Sequence, residues 1–186
     1  MNFEDLIEAW QAKMRTDDTH LVNQAFANSR DFAKHIHDMC RVDQVRLAYI
    51  ANRAADHFWI HNRAHRTTAS EGYPGHYGCR VRLAAPKFEL SWYYNQFKKK
   101  NDGSGKHNVI SHYLPKEGRH GYFANRFNKA HDWELPIILD TEYAFSLCRR
   151  INHNLTTIRR KTLMNTRLLE SLERHLGELE GPRHEQ

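Results

Sequence analysis

Ile137 to Leu179 reads IILDTEYAFSLCRRINHNLTTIRRKTLMNTRLLESLERHLGEL, and the spacing of its apolar residues decides the fold. Ile137, Thr141, Ala144, Cys148, Ile151, Leu155 and Ile158 are followed by Thr162, Asn165, Leu169, Leu172, Leu176 and Leu179, in steps of four and three without a slip. Ten of these thirteen positions are apolar, so the run holds the coiled-coil period of about 3.5 residues. Only a continuous helix keeps such a run on one side. It is expected to begin near Asp132, with Pro136 tolerated in its first turn, where an N–H would have no helical partner. At about 1.5 Å per residue it reaches about 65 Å. Two surfaces could cover the seam. Ile138, Leu139, Phe145, Leu147 and Leu168 lie off the seam, and for the first half this suits packing on the helix's own domain. From Ile151 onward the sustained heptads suit a second copy of the chain. Ile151, Leu155, Ile158, Leu169, Leu172 and Leu176 are the expected homodimer interface, with Thr162 and Asn165 as polar positions that fix register. The N-terminal helices also carry enough apolar residues to cover the seam within one chain.

Working back from this helix, residues 67–131 read as a β-meander. Gly72, Pro74, Gly75 and Gly78 stop helix. Cys79 to Ala84 then alternates, with Val81 and Leu83 on one side and Arg80 and Arg82 on the other. Phe88, Leu90, Trp92 and Tyr94 share one face of a second strand. Lys98 to Lys106 (KKKNDGSGK) is a glycine-containing turn, and Val109 to Leu114 is a third strand ending at Pro115. Three strands are marginal alone and must lie on helices. Residues 1–66 read as helical. Phe3, Leu6, Ile7, Trp10 and Met14 mark a first helix from about Asn2 to Arg15. His20 to Arg66 contains no Pro and no Gly and reads as one or two long helices, with a possible break at Arg41-Val42-Asp43. The expected fold class is α+β: N-terminal helices, a three-stranded antiparallel meander and a long C-terminal helix over 132–180, together one compact domain.

The 186 residues carry a formal charge of +6 before any of the 14 histidines is counted. Such a balance favours polyanionic partners. No apolar run approaches the roughly 18 residues a membrane helix needs, and acids stand where a signal peptide would want lysines. An intracellular, cytoplasmic protein is expected. Cys40, Cys79 and Cys148 are too far apart for a disulfide framework or a zinc finger and read as reduced, inert thiols. Between Tyr143 and Leu169 there is no acid, while Arg149, Arg150, Arg159, Arg160, Lys161 and Arg167 fall in that span. His153, Arg160 and Arg167 are seven apart and lie opposite the apolar seam. A solvated helix face usually mixes signs, and this one does not, so it is a candidate surface for DNA, most simply a duplex. Lys98, Lys99, Lys100 and Lys106 form a second basic element that could follow a phosphate backbone or serve only to protect a sheet edge. Trp92, Tyr93 and Tyr94 could stack on bases, but alternating aromatics on a strand are more often core.

Catalytic patterns are thin. His35-Ile36-His37 has the spacing used by metal-dependent nicking enzymes, but that chemistry needs both imidazoles on one strand face, and residues two apart on a helix diverge. His57, His61 and His65 share a helix face, with no general-base Glu between them as in a zinc-protease helix. Gly72-Tyr73-Pro74-Gly75 is a turn and not a nucleotide cradle. No catalytic residue, metal site or cofactor is expected.

One group of short elements occurs in a telling order: Glu89-Leu90-Ser91-Trp92-Tyr93, Ile110-Ser111-His112-Tyr113-Leu114-Pro115-Lys116, Gly121-Tyr122, Trp133-Glu134, Glu142, Phe145, Arg149-Arg150, Leu155 and Ile158-Arg159-Arg160. In these the second half, about Val81 to Leu163, resembles the MobI-type conjugative transfer proteins, accessory mobilisation factors of integrative and conjugative elements. The resemblance implies a factor that acts at the origin of transfer beside the relaxase or other transfer proteins, without nuclease activity, and it brings no catalytic residues. The alternatives are a metal-dependent nuclease or nicking enzyme, and a coiled-coil scaffold that binds only protein.

Overall fold

The computed structural model describes residues 4, 7, 8, 19–68, 75–84, 87–99 and 107–180. The expected first helix over Asn2–Arg15 lies largely outside the described residues, as do Lys100 and Lys106 of the glycine-containing turn. Helix α1 spans Thr19–Thr68. It runs through Arg41-Val42-Asp43 without a break, because a segment free of Pro and Gly offers no point where continuing the helix becomes costly. Strands β1 (Tyr77–Ala84), β2 (Lys87–Lys99) and β3 (His107–Tyr113) form an antiparallel sheet in the order β1-β2-β3. A short 3-10 turn covers Ala124–Phe127, and helix α2 spans Glu134–Glu180. The amides of Glu134 and Leu135 both donate to the His131 carbonyl, at 2.9 and 3.0 Å, which places the helix start just past Asp132. The architecture is the expected α+β one. No helix among the described residues is long and apolar enough to cross a membrane.

The chain divides into two units. One is Met39–Ile158 and holds the sheet. Its core takes Leu47, Ala51, Ala55 and Phe58 from α1, Tyr77, Cys79, Leu90 and Trp92 from the sheet, and Ile138, Phe145 and Cys148 from α2. Small alanines on α1 let the helix approach the sheet, and Phe58, Phe127 and Phe145 surround Trp92 with ring centroids 5.1 to 5.8 Å away. Edge-on and tilted packing of this kind suits the ring quadrupoles. The inner face of β2 is the expected one, with Leu90 and Trp92 buried. The three cysteines are free and buried, and burial pushes the Cys79 and Cys148 thiols up, so both stay protonated.

The outer face of the sheet carries Arg80 and Arg82 from β1, Ser91 and Tyr93 from β2, and Tyr113 from β3. Gly78 belongs to this face. A Cβ there would stand 2.4 Å from the Tyr93 ring, so only glycine lets that ring lie flat across β1.

The second unit joins the described residues of Met1–Asp38 to those of Arg159–Gln186. It is a pair of helical segments with little apolar closure. Phe26 and Ala33 are buried on α1, while Thr162, Leu169 and Leu176 of α2 are half-buried. Arg30 forms an ion pair with Glu173, and Arg159 Nη2 lies 3.5 Å from His37 Nε2.

Candidate nucleic-acid interface

Arg149 and Arg150 are neighbours in sequence and part company in space. Residues Arg149 and Glu142 are two turns apart on α2, on the side that meets the sheet. Arg149 is 7% exposed, and its Nη1 and Nη2 donate to the Glu142 carboxylate at 2.7 and 3.1 Å. Its remaining donors reach the carbonyls of Leu90 and His120. Glu142 also accepts from Trp92 Nε1 at 2.7 Å and from the Tyr122 amide at 2.9 Å. This buried network ties β2, the loop after β3 and α2 together. Arg149 therefore leaves the set of candidate DNA contacts: every direction in which its guanidinium donates is taken by the interior.

A second buried carboxylate holds the start of β1. Glu134 accepts from the Tyr77 and His76 amides at 2.8 and 3.2 Å. Burial raises its pKa, and these backbone hydrogen bonds, with one from His131, pull it back.

Two exposed cations, Arg119 and Arg150, gather with two half-buried histidines where the loop after β3 meets α2. Arg119 Nη2 donates to His153 Nε2 at 2.8 Å, and the His120 and His153 rings stand 5.3 Å apart. Arg150 is exposed beside them. Desolvation first, then Arg119, His153, Arg150 and Arg149, hold the His120 imidazole below its usual pKa, and no carboxylate figures among the groups acting on it. Two guanidiniums and two imidazoles are thus crowded together, with no carboxylate among the groups acting on His120. Sequence reasoning found Arg150 and His153 but missed Arg119 and His120. They precede α2 by many residues, and Arg119-His120 has no periodicity to betray it.

The other candidates are placed as follows. Lys98 is exposed on β2, and Lys99 ends that strand. Arg160, Lys161 and Arg167 are exposed on the part of α2 in the helical unit, while Arg159 is half-buried there near His37. Of the seam residues, Leu155, Leu169 and Leu176 are half-buried, whereas Ile151, Ile158 and Leu172 are exposed. Phe32 and Ile36 of α1 and Leu168, Leu169 and Leu172 of α2 line an open apolar groove of about 560 Å³ within the helical unit. Trp92 is core, and Tyr94 faces inward against Tyr77.

The histidine groups disperse. His35 and His37 lie in the middle of α1, where one is exposed and the other half-buried. His57 and His61 bring their Nε2 atoms to 3.1 Å, but His65 instead stacks on Trp133. Among the described residues no three His, Cys, Asp or Glu side chains are grouped so as to hold a metal.

Set against known proteins, residues 47–163 match the family model described as MobI protein. The match covers more than half of the 186-residue chain and most of the sheet-bearing unit. It begins at Leu47, well upstream of Val81, and so takes in the α1 residues that pack on the sheet. No curated protein and no solved structure matches the chain.

Proposed function

This chain belongs to the MobI protein family, which implies a role in conjugative mobilisation, and from that premise we propose that it is a non-catalytic DNA-binding accessory factor acting at the origin of transfer beside the relaxase. The observation that carries this reading is the crowding of Arg119, His120, Arg150 and His153. Arg119 and Arg150 are like charges held near one another beside two imidazoles, which costs free energy in the free protein, and a phosphate backbone relieves that cost while releasing its own counterions. Arg160, Lys161 and Arg167, with the lysines at the end of β2, are the further proposed contacts, and the proposed partner is duplex DNA in the cytoplasm.

The test is a gel-shift series on cognate origin and unrelated duplexes at several salt concentrations, with and without a chelator. Arg119→Gln with Arg150→Gln should weaken binding on every duplex and reduce the log–log salt slope by about 1.8, about 0.9 for each phosphate no longer neutralised. Affinity should not depend on the chelator, and no strand should be cut when divalent metal is added. Unchanged affinity and slope in a folded double variant would remove the proposed interface. Cleavage would return the nicking alternative.

A second reading concerns assembly, and the apolar groove of the helical unit favours it. Leu168 is 59% exposed on the rim of that groove, and exposed Leu172 lines it one turn further on. A second copy of the chain would present the same heptad-spaced residues to it.

A further inference from the structure

We propose that the outer face of the sheet binds single-stranded DNA, one nucleotide seated between Arg80, Arg82, Tyr113 and Lys116 and its neighbour stacked toward Tyr93. The proposal rests on the DNA-binding reading above and adds a second strand form at a second place. Within the sheet-bearing unit, Arg80, Arg82, Ser91, Tyr113 and Lys116 line a groove of about 540 Å³. A groove of that size suits one small ligand and is far too small for a duplex.

Its chemistry is that of an unpaired nucleotide. Arg80 Nη1 donates to the Tyr113 hydroxyl at 2.9 Å, so a cation and an aromatic ring are held side by side. Tyr113 is 56% exposed. It meets Tyr93 edge to face with ring centroids 5.9 Å apart, and Gly78 leaves the Tyr93 ring room to lie across β1. Paired bases in a duplex cover one another's faces, whereas an unpaired base offers its π-face to a ring like that of Tyr113. Charge complementarity sets the sign of the partner. Three cations line the groove against one carboxylate, Glu89, which sits opposite Arg82 in the strand register. Lys116 is exposed as a residue, yet partial desolvation lowers its ammonium pKa, with Arg149 acting in the same direction and Glu89 and Glu142 opposing. A phosphate in the groove would act on Lys116 in the same direction as Glu89 and Glu142 and favour its charged form. An acidic peptide could satisfy the cations but would leave the rings unused.

The experiment measures fluorescence anisotropy of the full chain with a labelled thymidine oligomer of about 12 nucleotides, with a duplex of similar length, and with oligoglutamate. Arg80→Gln with Arg82→Gln alters two exposed side chains and should lower the single-strand salt slope by about 1.4, at about 0.7 per phosphate. Tyr113→Leu should weaken single-strand binding by about tenfold, within the range for removal of one base–aromatic stack. Both variants should keep the wild-type duplex affinity. If the wild type binds duplex but not the oligomer, or both variants keep its single-strand affinity, this proposal fails alone. Oligoglutamate binding that the arginine pair weakens and Tyr113→Leu does not, with the thymidine oligomer behaving alike, would also overturn it. If the wild type binds neither form of DNA, the function proposed above fails as well.

Discussion

Arg149 and Arg150 differ by about 100° around the helix, and that rotation separates a structural residue from a candidate binding one. The Arg149–Glu142 pair is buried and fully hydrogen-bonded, so removing one partner strands the other charge in the interior. Arg149→Gln should therefore lower unfolding free energy by about 3–5 kcal/mol. Arg150→Gln, on the exposed side, should change it by no more than about 0.5 kcal/mol while weakening DNA binding. Urea melts of both variants check the contrast, and equal stabilities would mean that the buried network contributes little. Several residues of the MobI-like pattern, namely Trp92, Tyr122, Glu142 and Arg149, converge in that one network. Much of the pattern thus encodes architecture, and the residues that would touch DNA are read from exposure and charge. His120 supplies the pH prediction. Its pKa is lowered in the free protein, by desolvation first and then by the surrounding cations, so at pH 7 the ring is neutral. A bound phosphate favours imidazolium, so the complex holds more protons than the free protein. Affinity should then rise as pH falls through the interval between the two pKa values, with proton uptake on binding. His120→Gln should flatten that dependence in anisotropy titrations across pH 5.5–8, an interval of about one to two units around the ordinary histidine value.

At the scale of the element, α2 was legible as a helix and illegible as to which side it buries. The four-three run contains two columns seven residues apart. One, Thr141, Cys148, Leu155, Thr162, Leu169 and Leu176, is buried or half-buried throughout, as the seam requires. The other is half-buried at Ile137 and Ala144 and exposed from Ile151 onward, at Ile151, Ile158, Leu172 and Leu179. Its place on the inward side is taken by a column that alternation of apolar residues could not reveal: Phe145, Asn152, Arg159, Thr166 and Glu173. Polar members of that column find polar partners on α1. Gln44 Nε2 donates to Asn152 Oδ1 at 2.8 Å in the sheet-bearing unit, and Arg30 pairs with Glu173 in the helical one. Such pairs penalise any slip in register between helices. The sheet was read more fully. Period-two alternation placed Trp92 in the core and Arg80 and Arg82 outside, because a strand has only two faces. The same rule puts Tyr93 on the outer side, while Tyr113 joins it through the β2–β3 register.

At the scale of the molecule, the exposed apolar column and the groove of the helical unit make self-association the open structural question. Leu168→Asp with Leu172→Asp alters two exposed residues and should leave helix content intact. Light scattering should report a dimer for the wild type and a monomer for the variant, with weaker DNA binding through reduced avidity. A wild type that stays monomeric at tens of micromolar, about −6 to −7 kcal/mol of association free energy, would confine the seam to a single chain. The sequence by itself determined the long helix, the strand alternation, the basic balance and the family pattern. Each of these is a local periodicity or a composition, and neighbours along the chain suffice to fix it. Only the tertiary structure decided that Arg149 turns inward, that Arg119 and His120 join Arg150 and His153, and which apolar column of α2 stays open. Those outcomes depend on groups brought together from distant parts of the chain, as Arg119 is with His153 and Glu142 with Trp92. Packing selects the face that turns inward, and beyond Phe145 it takes a polar column in place of an apolar one.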